Sequence, residues 1–151
     1  MKVKLTPKQY LNQAYHLNEL IDSDIEELDR LKATIDGLSS IVFDRDNVQT
    51  SGPSSPIERT IGKIESMKER INREIDDFID LKEEIRDSIN QLTNNNEKLI
   101  LRLRYVLFKS WEEIQGTVGK ERSQTFSLHQ TALNHFKVPD GKFCFREISE
   151  T

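Results

Sequence analysis

The strongest constraint in this sequence is a run of apolar residues at heptad-like spacing between residues 57 and 92. Its members are Ile57, Ile61, Ile64, Ile71, Ile75, Phe78, Ile85, Ile89 and Leu92. Lys68 and Lys82 occupy two of the repeating positions, with Met67 and Leu81 beside them. Five consecutive heptads are typical of a long helix that packs against a partner helix. Ser55-Pro56-Ile57-Glu58 opens the run as a capping box with proline at the first helical position, so we predict a helix over 57–92.

A second apolar stripe precedes this one. Thr6-Pro7-Lys8-Gln9 carries the same opening signal, and apolar residues then follow with three-four spacing. They are Leu11, Ala14, Ile21, Ile25, Leu28 and Ile35, with Asn18 and Lys32 interrupting the seam. We predict a helix over 7–39 and a flexible loop over 40–55, where turn-forming residues replace the periodicity. Two helices of similar length joined by such a loop predict a long antiparallel hairpin over residues 1–93.

Two helices alone leave much of each apolar stripe uncovered. Either the C-terminal third of the chain packs on the hairpin, or a second copy does so as a homodimer with a four-helix arrangement. The sequence leaves both arrangements open.

The stretch from Ser110 to Phe136 has the pattern of two short helices joined by a tight turn. Ser110 and Glu113 form another capping box, and Gly119 suits a left-handed helix end. The second helix would turn Thr125, Leu128, Ala132, Leu133 and Phe136 inward. Helix, glycine turn and helix make a helix-turn-helix, whose second helix enters the DNA major groove, although purely structural helix pairs share the pattern. We therefore predict an all-α chain with a helix-turn-helix domain over 94–137.

Two flanking segments complete the predicted organisation. Residues 97–108 form a short helix with Leu99, Leu103 and Val106 inward. Residues 138–151 form a C-terminal tail, in which apolar and polar residues alternate around Phe143, Phe145 and Ile148. The alternation is compatible with a short strand or an ordered tail.

Charge and composition narrow the function classes. The net charge is −4, yet residues 97–137 carry seven basic and four acidic side chains, against 13 and 19 in residues 1–96. Positive charge is therefore concentrated on the predicted helix-turn-helix, as a modest DNA-binding surface would require. Cys144 is the only cysteine, no apolar run approaches the ~20 residues that span a bilayer, and the N-terminus lacks a signal-peptide layout. We expect a cytoplasmic protein with no membrane partner. Without a phosphate loop, nucleophile elbow or metal-ligand spacing, we expect no enzyme, cofactor or metal.

Four segments carry a family resemblance. The runs LRLRY at 101–105, SWEEI at 110–114 and SLHQTAL at 127–133, with Gly119 between the last two, resemble the promoter-reading region four of bacterial sigma factors. The opening YLNQAYHL at 10–17 resembles the N-terminal segment of phage-encoded regulators of the ArpU/RinA-like group and related phage families. The likeness covers about residues 7–136.

The resemblance implies a phage-type transcriptional regulator that reads promoter or operator DNA in a bacterial host cell and touches host RNA polymerase. Its groove-facing positions fall on Arg122, Ser123, Phe126 and Ser127, with Lys120 and Gln130 placed for phosphate contact. The chain departs from the pattern at Gly116, at Thr125, and at Ser127 and Thr131, where the family carries basic residues. The alternative is a helical interaction or assembly module whose helix-turn-helix is structural only. In the sequence, His129 is compatible with a surface residue or a phosphate contact.

Overall fold

The computed structural model describes residues 1–44 and 55–149, and the side chains of 1–38 and 55–149. Five α-helices and two short strands make up this part of the chain. In chain order they are β1 (Lys2–Lys4), α1 (Pro7–Asp44), α2 (Pro56–Ile89), α3 (Asn95–Leu101), α4 (Trp111–Val118), α5 (Arg122–His135) and β2 (Phe145–Glu147). None of the described helices combines the length and apolarity that a membrane crossing requires.

The long helices begin where the capping signals place them. The backbone N–H of Thr6 donates to Gln9 Oε1 at 3.0 Å, and the Gln9 N–H donates to Thr6 Oγ1 at 3.3 Å. Ser55 and Glu58 make the equivalent pair of bonds at 3.4 and 3.1 Å. Both predicted capping boxes are confirmed, because each depends only on residues three positions apart.

The end of α1 differs from the prediction. The helix continues to Asp44, so the first part of the predicted loop 40–55 is helical. Residues 38–44 contain neither glycine nor proline, and nothing local stops the helix there. The remainder of that predicted loop, up to residue 54, lies outside the described residues.

The chain forms two compact units, which differ from the predicted division into 1–93, 94–137 and 138–151. Unit 1 consists of Met1–Leu17 and Phe78–Thr151, and unit 2 of Asn18–Asp77. Both long helices therefore contribute to both units. The reason is that the first turns of α1 and the last turns of α2 share a single core with the C-terminal helices.

Unit 2 is built around a seam between α1 and α2. Leu28 packs with Ile64, Met67 and Ile71, all less than 10% exposed. Two predicted seam residues lie elsewhere, because Ile25 is 39% exposed and Ile61 is 47% exposed. At this point of α2 the buried residue is Met67. The predicted seam residue, Lys68, is the next one along the chain and is exposed.

The seam of unit 2 also holds a charged layer. Asp24 is buried and lies 3.6 Å from the guanidinium of Arg70, which also lies 4.0 Å from Glu74. Burial and the neighbouring Asp24 carboxylate raise the pKa of Glu74. Such a layer fixes register between two helices at a cost in stability.

Unit 1 has a large apolar core. Its buried residues are Tyr10, Leu11, Ala14, Leu81, Ile85, Ile89, Leu92, Ile100, Leu101, Leu103, Tyr105, Val106, Ile114, Ala132, Leu133, Phe136 and Cys144. Leu103 and Val106 lie inward as predicted, but Leu99 is 37% exposed and Ile100 takes its place. Beyond α3 the chain widens into a π-helical turn, Arg102–Val106, in which the Leu107 N–H donates to the carbonyl of Arg102. The π-helical turn changes which side chains face inward. The prediction of a single regular helix over 97–108 did not include this change.

The ends of the described chain meet in a terminal clasp, the antiparallel pair of β1 and β2. Val3 lies opposite Arg146 in this pair, so the C-terminal segment forms a strand rather than an unpaired tail. The Leu5 N–H donates to the Cys144 carbonyl at 2.8 Å, and Gln13 Nε2 donates to the Phe143 carbonyl at 2.8 Å.

A small polar cluster lies beneath the clasp. Glu84 Oε1 accepts a hydrogen bond from the Tyr10 hydroxyl at 2.7 Å and one from the Cys144 thiol at 3.4 Å. Burial, reinforced by the Glu84 carboxylate, raises the pKa of Tyr10. Burial likewise raises the pKa of Cys144 to about 11. The cluster ties α1, α2 and the C-terminal segment together.

Candidate nucleic-acid interface

Helix α4 begins and ends as its sequence predicts. The Ser110 N–H donates to Glu113 Oε2 at 3.0 Å, and the Glu113 N–H donates to Ser110 Oγ at 3.2 Å. Gly119 closes the helix with φ +67°, and its N–H donates to the Gln115 carbonyl. A side chain at that φ is strained, which explains why glycine stands there.

Helix α5 starts three residues after α4 ends. Its predicted inner residues Thr125, Ala132, Leu133 and Phe136 are buried, and Leu128 is partly buried. The Thr125 hydroxyl donates to the Glu121 carbonyl at 2.8 Å, so its polar group is satisfied within the helix. Threonine therefore fits this core position.

The predicted contact residues lie on the opposite side of α5. Lys120, Arg122, Ser123, Ser127 and Gln130 are exposed, and Gln130 Nε2 donates to Asn134 Oδ1 at 3.2 Å. Phe126 is only partly exposed, because its ring packs on Trp111 with centroids 4.8 Å apart. Part of the Phe126 side chain therefore remains accessible.

Two arginines flank this aromatic pair and complete a cation–aromatic stack of Arg104, Trp111, Phe126 and Arg122. Arg104 Cζ lies 4.8 Å from the Trp111 ring, and Arg122 Cζ lies 5.6 Å from the Phe126 ring. Arg104 Nη1 also donates to the Lys109 carbonyl at 3.0 Å. Each cation–π contact contributes about 0.5–1 kcal/mol at an exposed site. The stack packs the first turn of α5 against α4 and places the Arg122 guanidinium over the Phe126 ring.

His129 belongs to the core rather than to the surface, so both interpretations of it from the sequence are wrong. Its Nε2 lies 2.7 Å from the Tyr105 hydroxyl, and its ring meets Trp111 edge-on at 4.7 Å. Burial, together with Lys8 and Arg104, lowers the pKa of His129 to about 4. The imidazole is neutral at pH 7 and joins α5 to the π-helical turn. Helical spacing from Thr125 and Ala132 places His129 on the inner face of α5. The pairing with Tyr105, 24 residues earlier, is the part that no local sequence pattern reports.

A second long-range contact anchors the end of α5. His135 Nδ1 lies 2.7 Å from Glu97 Oε1, whose residue is only 5% exposed. A buried carboxylate needs a partner, and His135 provides one. The two histidines of α5 therefore connect the middle and the C-terminal end of the helix to the preceding segment.

The electrostatics of the exposed side are mixed. Arg102, Lys109, Lys120 and Arg122 contribute exposed cations, and Glu112 and Glu121 contribute exposed carboxylates. Glu113 is also exposed, but its carboxylate is engaged in the α4 cap. Across residues 1–44 and 55–149, no group of three His, Cys, Asp or Glu side chains is arranged to hold a metal ion.

Together these features define a mostly helical protein in which a pair of short helices presents an exposed polar face. The chain belongs to the family described as protein of unknown function (DUF1492), whose model matches residues 37–137. The matched region includes all of α2, α3, α4 and α5. Searches of curated proteins and of solved structures gave no match to the chain.

Proposed function

We propose that this chain is a phage-type DNA-binding transcriptional regulator that reads promoter or operator DNA through a sigma-region-four-like helix-turn-helix formed by α4 and α5. Helix α5 is the recognition helix, and α1 and α2 of the same chain form an antiparallel hairpin. The partners are double-stranded DNA in the cytoplasm of a bacterial host and, through the same region, host RNA polymerase.

The observation that carries the proposal is the face of α5 that ends in the cation–aromatic stack. A recognition helix needs exposed donors on one side and a fixed orientation on the other. Arg122, Ser123, Ser127 and Gln130 supply the donors. The contact of Phe126 with Trp111 supplies the fixed orientation.

Each residue has a role that follows from its chemistry. Arg122 carries a planar fork of donors that matches the O6 and N7 acceptors of guanine. Ser123 and Ser127 bond to base or backbone, and the partly exposed Phe126 ring meets a thymine methyl group. Lys120 contacts a phosphate, which positions the helix without reading sequence.

The second candidate function is a helical interaction or assembly module in which α4 and α5 are structural only. Two observations favour it. Ser127 and Thr131 are exposed positions without a cation, and Glu112 and Glu121 add negative charge to the α4–α5 pair. A surface of this kind neutralises few phosphates, so a single copy binds DNA weakly.

The experiment is a binding titration across a salt series, with genomic fragments and random DNA compared for the wild type, Arg122→Ala and Lys120→Ala. Arg122→Ala should cost about 1–3 kcal/mol and relax preference at one base. Lys120→Ala should weaken all sequences alike and reduce the salt slope by about 1. Arg86→Ala removes the same charge from an exposed position on α2 and should leave both quantities unchanged. Absence of any preference over random DNA at low salt would establish the assembly module instead.

A further inference from the structure

One long side of unit 2 carries exposed isoleucines. Ile25 on α1 is 39% exposed and Ile61 on α2 is 47% exposed, while Ile75 is half-buried. Lys32 and Lys68 are exposed and complete the set. We call these five residues the isoleucine–lysine face.

All five residues occupy the same type of heptad position. The buried residues Ile21 and Leu28 on α1, and Ile64 and Ile71 on α2, repeat every seven residues, with Asp24 and Met67 at the intermediate inward positions. On α1, Ile25 and Lys32 each come one residue after an inward position. The same holds on α2 for Ile61, Lys68 and Ile75. These are the flanking positions that border a two-helix seam.

The contacts within unit 2 place both flanks on one side. Asp24 meets Arg70, whereas Leu31, further along α1, shares a surface depression with Lys63, which is earlier on α2. The two helices therefore run antiparallel, and like flanks face each other across the seam. Glu27 lines the same depression as Lys63 and Arg70, so the opposite flank is a charged side.

The charges that border the isoleucine–lysine face are opposite in sign to the lysines within it. Exposed carboxylates form its rims one helical position further out, with Asp22 and Asp29 on α1 and Glu65 on α2. Lys68 pairs at 3.5 Å with Glu65 on its own helix. Lysines and isoleucines alternate on this face and carboxylates lie at both rims, so the surface is complementary to itself.

We infer that the isoleucine–lysine face binds the same face of a second copy, so that two units 2 form a four-helix arrangement. A two-fold contact brings a surface against itself, which suits a surface that carries both the lysines and the carboxylates that pair with them. The isoleucines of both copies then lose their exposure to water in the centre. Lys32 and Lys68 of each copy reach the acidic rims of the other.

The test is the mass of the full chain in solution without DNA, so that its outcome is independent of the proposed DNA binding. The wild type should give twice 17.6 kDa at micromolar concentration. The double variant Ile25→Glu/Ile61→Glu changes only exposed side chains, and it should give a single copy with an unchanged helix content. Leu20→Glu, at a 48% exposed leucine on the charged flank, is the matched control and should keep the double mass.

Charge reversal tests whether the molecule bound to the isoleucine–lysine face is a second copy of this chain. Lys32→Glu/Lys68→Glu and Asp22→Lys/Asp29→Lys/Glu65→Lys should each be single copies alone and pair when mixed. A wild type of single mass at every concentration, a double mass that survives Ile25→Glu/Ile61→Glu, or reversed variants that fail to pair on mixing would each overturn the inference.

Discussion

The imidazole of His129 contacts the Tyr105 hydroxyl and the Trp111 ring within the core of unit 1. Its folded-state pKa of about 4 lies below the value of 6.5 for an unperturbed histidine. Between these values the unfolded chain binds a proton that the folded chain excludes. Stability therefore increases with pH across this window, and the contribution is lost as the pH falls from 6.5 to 4.

We predict that the free energy of unfolding of the wild type decreases by a few kcal/mol between pH 6.5 and pH 4, at about 1.4 kcal/mol per unit of pKa difference. Chemical denaturation at several pH values measures this change. His129→Gln, which cannot take up the proton, should show a shallower slope over the same range. His16→Gln is the comparison that isolates the contribution of His129, because it removes an exposed histidine of α1. Equal slopes for wild type and His129→Gln would contradict the assignment.

Two glycines of the α4 region predict opposite effects of the same substitution. Gly116 lies inside α4 with open space where a Cβ would stand, whereas Gly119 has φ +67°. Gly116→Ala should stabilise the protein by about 1 kcal/mol through helix propensity. Gly119→Ala should destabilise it by about 1–2 kcal/mol through left-handed strain. Thermal unfolding of the two variants measures both, and a shift of the same sign in each would refute the α4 boundary.

At the scale of single elements, the register of α2 decides which side chains the seam buries. Met67 is 8% exposed while its neighbour Lys68 points outward. Met67→Ala should cost about 2–5 kcal/mol, because it removes buried methylene groups and leaves a cavity. Lys68→Ala should change stability by less than about 0.5 kcal/mol. Urea denaturation compares them, at a protein concentration low enough that a single copy is measured. If Lys68→Ala lowered the stability more than Met67→Ala, the register predicted from the heptad pattern would be correct.

The elements that sequence could predict are those whose causes are local. Ser55 with Glu58, and Ser110 with Glu113, are three residues apart, and both capping boxes form as predicted. The left-handed φ of Gly119 is also local. The exposure of Lys120, Arg122, Ser123, Ser127 and Gln130 follows from helical periodicity once the start of α5 is known.

What sequence could not supply depends on distant partners. The choice of Asp24 over Ile25 as the inward residue of α1 depends on Arg70 across the seam. The burial of His129 depends on Tyr105, and the burial of Glu97 depends on His135. The π-helical turn shifts the phase of α3 by an amount that periodicity does not encode. For Asp24, His129 and Glu97 the deciding contact joins residues far apart in the chain.

At the scale of the whole molecule, the thiol of Cys144 reports on opening of the terminal clasp. Cys144 is the single cysteine and is fully buried. We predict that a thiol reagent labels Cys144 slowly at neutral pH, because burial and a pKa of about 11 suppress the reactive thiolate. Gln13→Ala removes the bond to the Phe143 carbonyl and should raise the labelling rate about fivefold, as loss of about 1 kcal/mol implies.

Gln124→Ala changes an exposed glutamine of α5 and serves as the control for that measurement. Its labelling rate should equal that of the wild type. If Gln13→Ala also labels at the wild-type rate, the clasp does not limit access to Cys144, and global opening of unit 1 governs the reaction.

The terminal clasp has a consequence for the order in which the two units are made on the ribosome. Unit 2 occupies Asn18–Asp77 and is inserted between the two parts of unit 1. Its seam can close as soon as residue 77 has emerged. Unit 1 must wait for β2, because β1 has no strand to pair with until residues 145–147 are synthesised. At about 5–20 residues per second, unit 2 therefore has several seconds to fold before unit 1 is complete.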